Sequence, residues 1–207
     1  MTSLDKLIAY FEKFPGVGVR QARRFAFHIL TLNKENVTEM ADLITSLSES
    51  VTECESCHRF YSDGSYKKET ICNICSSTNR DKQKLLIVAR DTDIQAIERS
   101  SLYDGFYFVL GGTIPLLNDY DTAKKLRGGV LKALVDSRVS DGLQEIILGF
   151  AINPDGENTG RYIETLLKEQ IETHSLKVSH LGRGLSTGSE LEYADAETIK
   201  NAIRSRF

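Results

Sequence analysis

"LLIVARDTDIQAIERS", residues 85–100, decides the fold class. The four apolar residues "LLIV" (85–88) read as a strand buried on both faces. "DIQAIERS" (93–100) reads as the helix that follows it. The pattern recurs downstream. "FYFVL" (106–110) is a strand, and "TAKKLRGGVLKALV" (122–135) is a helix weakened by Gly128 and Gly129. "EIILGF" (145–150) is a strand, "TGRYIETLLKEQI" (159–171) a helix and "LKVSHL" (176–181) a strand. Alternating strands and helices predict βαβ units and a mainly parallel sheet. "DAETIKNAIRSRF" (195–207) reads as a final helix.

Parallel sheets bind ligands beyond the carboxyl ends of their strands. The residues predicted there are Ala89, Arg90, Asp91 and Asp93 after the first strand, and Asn153, Asp155 and Glu157 after the third. Asp155 and Glu157 supply two carboxylates, the minimum for a Mg²⁺-dependent phosphoryl-transfer site. Loop carboxylates are more often simply solvated, and Asp93 is placed to cap the following helix.

Upstream of the sheet the rhythm is lost. Residues 54–75 are rich in Ser, Asp, Gly, Tyr and Lys and hold all four cysteines of the chain, Cys54, Cys57, Cys72 and Cys75. Two Cys-x-x-Cys knuckles separated by fourteen residues supply four thiolates, the ligand set of a closed, structural Zn²⁺ site. A segment this polar cannot bury enough apolar area to fold unaided. His58, next to Cys57, is expected at the surface rather than as a ligand.

The first 50 residues are helical. Leu4, Leu7, Ile8 and Phe11 form one apolar stripe, and Val37, Met40, Ala41, Ile44 and Leu47 form another. Between them "FPGVGVRQARRF" (14–25) breaks the first helix and opens a second, expected over about residues 18–31 and burying Ala22, Phe25, Ala26 and Ile29. Gly16 and Gly18 allow close approach to the backbone at a helix N-terminus, where free N–H groups attract anions. Arg20 and Arg24 lie one turn apart on one face, with Arg23 beside them. A helix, Gly-x-Gly hairpin and second helix in this order suit contact with a nucleic-acid backbone without sequence readout.

Composition bounds the remaining classes. The chain has 207 residues, a net charge of −3 and 27% charged residues, an ordinary soluble balance. No run approaches the roughly 18 apolar residues of a membrane span, and the N-terminus lacks a signal-peptide core, so a cytoplasmic protein is expected. Positive charge is local: residues 59–90 carry seven Lys or Arg against three Asp or Glu. Local fields, not the net charge, govern phosphate binding.

The order of hairpin, cysteine knuckles, α/β unit and "GSELEYAD" (188–195) resembles the RecR family of bacterial recombination mediators over essentially the whole chain. "FPGVGVRQARRFAFHIL" is similar to the family's Leu-Pro-Gly-x-Gly-x-Lys-x-Ala-x-Arg pattern, placing Arg20 and Arg24 on its basic positions. "CNIC" with Arg80, "DIQAIE", "YFVLGG", "EIILGFAINP" and "GLSTGSELEYAD" fall in the family's order. The resemblance implies a helix-hairpin-helix unit (1–52), a zinc finger (53–80), a Toprim-type α/β domain (81–180) and a C-terminal segment with a helix (181–207). It implies a non-enzymatic protein that binds single- and double-stranded DNA at Gly16, Gly18, Arg20, Arg23 and Arg24. Such proteins form dimers that pair into tetrameric rings and act with RecO-type, and in some settings RecF-type, partners to load RecA on single strands. Asp155 and Glu157 fall in the region implied to meet RecO.

The chain departs from the family's pattern in places. Ala89 stands where many members, like catalytic Toprim proteins, carry a glutamate. "INPDGENTGRYI" is about two residues shorter than the family's stretch but keeps Glu157. Val19 and Ser186 replace prolines, and Arg183 replaces a histidine. "GGTIPLLNDYD" lacks most of a Gly-Pro loop. These departures weigh against the rival class, a Toprim nuclease or primase using Asp155, Glu157 and Mg²⁺. A third class, a protein-interaction scaffold, would use the hairpin helices only to dimerise.

Overall fold

The computed structural model describes residues 1–62, 70–116, 120–182, 192 and 196–204. The chain divides into two compact units, Met1–Thr52 and Glu53–Phe207.

The first unit holds α1 (Ser3–Phe11), α2 (Val19–Thr31) and α3 (Lys34–Ser50). Thr2 caps α1, its hydroxyl accepting the Asp5 N–H at 3.2 Å while the Asp5 carboxylate accepts the Thr2 N–H at 2.8 Å. These bonds hold the Asp5 carboxyl below its ordinary pKa, the bond from the Thr2 backbone most of all. Asn33 caps α3 by accepting the Asn36 N–H at 2.8 Å. Ala22 and Ala26 are fully buried as expected and Ile29 is half-buried, but Phe25 is 38% exposed, edge-on to Phe11 at 5.8 Å. Residue 25 sits at the margin of the α1–α2 contact, its ring against Phe11, while Ala22 and Ala26 fill the buried positions. The apolar stripe of α3 forms as a stripe yet stays open: Met40, Ile44 and Leu47 are exposed, as is neighbouring Leu43.

The second unit is built on four parallel strands, β3 (Asp81–Val88), β4 (Gly105–Val109), β5 (Glu145–Gly149) and β6 (Lys177–His180), in the order β4-β3-β5-β6. Leu86 lies opposite Tyr107 and Ile147, and Ile87 opposite Phe108 and Leu148. Period-two alternation splits the central strand between two cores. Leu85 and Ile87 pack with Phe106, Phe108, Leu131, Val135 and Ile163. Leu86 and Val88 pack with Ile94, Tyr107 and Val109 on the opposite face. Helices α4 (Asp91–Ser100), α6 (Gly128–Ser140), α7 (Pro154–Leu166) and α8 (Lys168–His174) supply the crossovers, with a short α5 (Tyr120–Lys125) before α6 and α9 (Ala196–Arg204) near the end. Most of "LGRGLSTGSELEYADAET" (181–198) lies outside the described residues. Among the described residues no helix is long and apolar enough to cross a membrane.

Three local expectations are corrected. The helix expected over 122–135 is two helices that part at Leu126 and Arg127, where the Arg127 N–H turns to the Leu110 carbonyl at 3.1 Å. Gly128 marks that junction because α6 meets α7 so closely that a β-carbon there would collide with the Tyr162 hydroxyl. The helix expected over 159–171 begins instead at Pro154, which suits a first helical position, and breaks at fully buried Leu167. Asp93 is not the cap of α4. It sits in the first turn, and its carboxylate accepts the N–H of the cap residue Arg90 at 2.9 Å.

One charged cluster ties the second core together. Arg80 donates to both carboxylate oxygens of Glu98 and to the Gly105 carbonyl, while the Tyr107 hydroxyl donates to Glu98 at 2.6 Å. Partial burial pushes the Glu98 carboxyl up, but Arg80 and Tyr107 outweigh it and leave its pKa below the ordinary value of 4.5. A carboxyl held low stabilises the fold above its unfolded-state pKa and loses that contribution as pH falls through the folded value. Glu98→Gln is therefore expected to cost about 1–2 kcal/mol at neutral pH, near the low end for a charged hydrogen bond because the pair is part-open to water. Urea denaturation across pH checks this: the gap between the two proteins should close as pH falls through the lowered folded-state pKa of Glu98, where the wild-type carboxyl also becomes neutral.

Candidate nucleic-acid interface and metal centre

The hairpin joins α1 to α2 through Phe14–Gly18. The Val17 N–H bonds the Phe14 carbonyl at 3.0 Å, closing a tight turn. Gly16 within it has φ +76°, a left-handed conformation that side chains disfavour. Gly18 is the N-cap of α2, with extended backbone and open space where a side chain would stand. No side chain caps α2, so the first-turn N–H groups stay free of side-chain acceptors at the positive end of the helix dipole.

Residues advance about 100° around a helix axis. Ala22 and Ala26 face inward, which places Arg20, Arg23 and Arg24 on the outer face. With Val19 and Phe27 they line one shallow depression. All three arginines are exposed, and none has an ion-pair or hydrogen-bond partner among the described residues. The structure thus brings the sequence-predicted basic residues together beside the open hairpin. Phe27 and the exposed Phe14 were not foreseen there. Phe27 follows Arg20 by seven residues, a spacing that puts it on the same face.

The ribbon holds β1 (Thr52–Glu53) and β2 (Phe60–Tyr61), paired as two strands. The cysteine sulfurs lie within 4.8 Å of one another, with Cys54, Cys57 and Cys72 buried and Cys75 half-buried. Among the described residues this is the one group of His, Cys, Asp or Glu close enough to share a metal ion. Both knuckles close alike, the His58 N–H on the Cys54 carbonyl at 2.9 Å and the Ser76 N–H on the Cys72 carbonyl at 3.0 Å. The Cys72 N–H points at the Cys54 sulfur at 3.3 Å. Hydrogen bonds among the four thiols hold Cys54 well below the ordinary thiol pKa and Cys57 well above it.

The ribbon is not a free appendage. Cys54, Cys57, Cys72, Tyr61 and Ile74 share the core of Leu86, Val88, Ile94, Tyr107 and Val109. Strand β4 is at the edge of the sheet, yet all five of its residues are buried. Its last residue is tied to the ribbon: the Val109 N–H donates to the Cys57 carbonyl at 2.8 Å. The Val109 carbonyl accepts from Arg127 at 3.2 Å, and Arg127 pairs with Glu53 at 3.1 Å. Glu53 also meets His58 Nδ1 at 2.7 Å, so that nitrogen carries the proton donated to the carboxylate. His58 is not the surface residue expected from sequence. It is largely covered, edge-on to Phe108 at 5.5 Å, with backbone in the left-handed region.

At the carboxyl ends of the strands the acidic residues bond mainly to backbone. Asp91 accepts the Phe60 N–H at 2.7 Å, and Asp155 accepts the Leu116 N–H at 3.1 Å. Asn158 and Thr159 bond the same segment, Thr159 accepting the Ile114 N–H at 2.8 Å. Asp155 and Glu157 therefore sit in the first turn of α7, not in a loop. Glu157 is half open to solvent and lies 3.9 Å from Arg161. Ala89 is buried at the end of β3, its carbonyl taken by the Gly111 N–H at 3.1 Å.

Comparison with known proteins adds the following. Residues 4–47 match the family model described as RecR, helix-hairpin-helix, and residues 184–206 match that described as RecR, C-terminal. The chain is similar to the recombination protein RecR of Lactobacillus delbrueckii subsp. bulgaricus, with 33% identity over 98% of this chain and 96% of that protein. It is similar to the recombination protein RecR of Streptococcus uberis at 34% identity over 99% and 96% of the two chains. That of Streptococcus pyogenes is 33% identical over the same shares.

The two hairpin glycines should respond differently to substitution. Gly16→Ala forces a side chain into the left-handed region and is expected to destabilise the first unit by about 1 kcal/mol. Gly18→Ser meets open space and adds a capping hydroxyl, so it should be neutral or stabilising by a few tenths of a kcal/mol. Thermal unfolding of both variants checks this; equal losses would contradict the assigned geometry.

Proposed function

The chain belongs to the RecR family, and we propose that it is a non-catalytic, DNA-binding mediator of recombinational repair. The observation that carries the reading is the outer face of α2, where three exposed guanidinium groups, without a partner among the described residues, stand beside the hairpin. First-turn N–H groups and Arg20, Arg23 and Arg24 bind consecutive phosphates through charge-assisted hydrogen bonds. Contacts of this kind go to the backbone, so they position the protein without reading sequence. Each is weak singly and gains avidity when several copies engage one strand. The open apolar stripe of α3 supports assembly into a dimer or a tetrameric ring, since monomers rarely leave such a surface uncovered.

The four-cysteine centre is read as structural zinc. A tetrahedron with Zn–S bonds of about 2.3 Å has sulfur–sulfur edges of about 3.8 Å. The Cys57 and Cys72 sulfurs are 3.7 Å apart, so the donor set fits the ion. Four thiolates leave no open coordination position, and bound zinc would supply folding energy rather than chemistry. The parallel sheet is read as a Toprim-type domain working without catalysis. Asp91, Asp93 and Asp155 serve as backbone acceptors, and Ala89 offers no carboxylate. In this reading residues 1–52 hold DNA, 53–80 carry zinc, 81–180 meet a RecO-type or RecF-type partner, and 181–207 complete the assembly. Asp155 and Glu157, at the start of α7, are the proposed partner contacts. The assembled protein then helps place RecA on single-stranded DNA.

Two measurements test the core of this proposal. Arg20→Ala with Arg24→Ala should weaken DNA binding alike across sequences, and each lost phosphate contact should flatten the slope of log affinity against log salt by about 0.7–0.9. An unchanged slope would remove the hairpin from the interface. Metal analysis of the purified protein should find about one zinc per chain. A folded, metal-free chain would refute the zinc reading.

A further inference from the structure

The phosphate reading leaves one residue of the arginine face unexplained. Phe27 is 55% exposed and lies on the outer side of α2, between the angular positions of Arg23 and Arg20. Arg24, Arg23 and Arg20 precede it by three, four and seven residues, so all three flank it on two successive turns. The four side chains border the same depression. A face that only grips phosphates gains nothing from a large apolar ring at its middle. Exposing a phenyl group there forgoes the burial that a hydrophobic side chain normally finds.

We propose that Phe27 is a base-stacking residue and that the arginine face of α2 thereby prefers single-stranded DNA to duplex. The inference rests on the DNA-binding reading above and adds the class of DNA. Charge complementarity selects the occupant. Three exposed guanidinium groups call for a polyanion, and an exposed ring among them calls for a polyanion with free π faces. In duplex DNA the base faces are covered by their neighbours. In a single strand they are open, and an aromatic side chain stacks on any base without sequence preference. The arginines hold the phosphates on either side, and guanidinium planes themselves pack on bases.

The test uses the full chain, a labelled oligothymidine and a duplex of equal length. Phe27→Leu keeps an apolar side chain but removes the π face. It should weaken oligothymidine binding about tenfold or more and leave duplex affinity within about twofold. The chain contains no tryptophan, so Phe27→Trp introduces a single indole. Its fluorescence should be quenched as oligothymidine binds, with affinity kept or raised. Quenching absent at saturation, or an equal loss of single-strand and duplex binding in Phe27→Leu, would overturn the proposal. So would a change in oligomeric state of Phe27→Leu by light scattering, which would assign the ring to a contact between copies. Failure of the underlying reading looks different: the wild-type chain would bind neither DNA, or the arginine variants would keep the full salt slope while Phe27 still mattered.

Discussion

The second unit depends on the burial of a polar, cysteine-bearing segment against one face of the parallel sheet. Neither part completes its core alone. The ribbon has too little apolar area to fold by itself, and among the described helices α4 is the one that covers the sheet face formed by Leu86, Val88, Tyr107 and Val109. Each supplies what the other lacks. The knuckles are short and rigid, so Cys54, Cys57 and Cys72 pack as small hydrophobic residues beneath Ile74 and Tyr61. Several polar groups at the seam are paired, Cys57 with Val109, Glu53 with His58 and Arg127, and Asp91 with Phe60, while His58 Nε2 and Arg59 Nε are buried without a partner among the described residues.

The first unit solves a different problem. Among its described residues only Ala22 and Ala26 are fully buried, and it relies on caps, a tight turn and ring contacts of Phe11 with Phe14 and Phe25. Small residues at a helix seam allow close approach but contribute little burial. The large apolar residues that would stabilise such a unit point outward instead. Its stability is therefore tied to whatever covers those residues.

Strands and cysteines were legible in the sequence for good physical reasons. A strand buried on both faces is a continuous apolar run, and "LLIV" and "FYFVL" cannot be mistaken for amphipathic helices. Two Cys-x-x-Cys pairs leave little freedom of interpretation, and the sulfurs do converge. Helix ends were less legible. The breaks at Arg127 and Leu167 arise from tertiary packing, in which the Tyr162 hydroxyl crowds Gly128 and Leu167 turns fully inside. No local pattern records those contacts. The openness of the α3 stripe was not legible for the same reason: periodicity shows that a stripe exists, not whether its own unit covers it. The environment of His58 could not be foreseen, because Phe108, which covers it, meets it only once the ribbon docks on the sheet. At the hairpin, spacing gave the arginine cluster correctly, whereas the exposure of Phe27 was a matter of which face turned inward.

The position of the ribbon has a consequence for solubility. Strand β4 is an edge strand whose sequence is almost wholly aromatic and aliphatic, the composition that pairs most readily with a stray strand from another chain. The Cys57 carbonyl and the Arg127 guanidinium occupy the hydrogen-bonding groups of Val109, where such pairing would begin. The thiol cluster therefore acts as a guard on the sheet as well as a clasp for its own loop. Loosening of the knuckles, as by oxidation of the thiols, would free those groups of Val109 and leave the edge open to pairing.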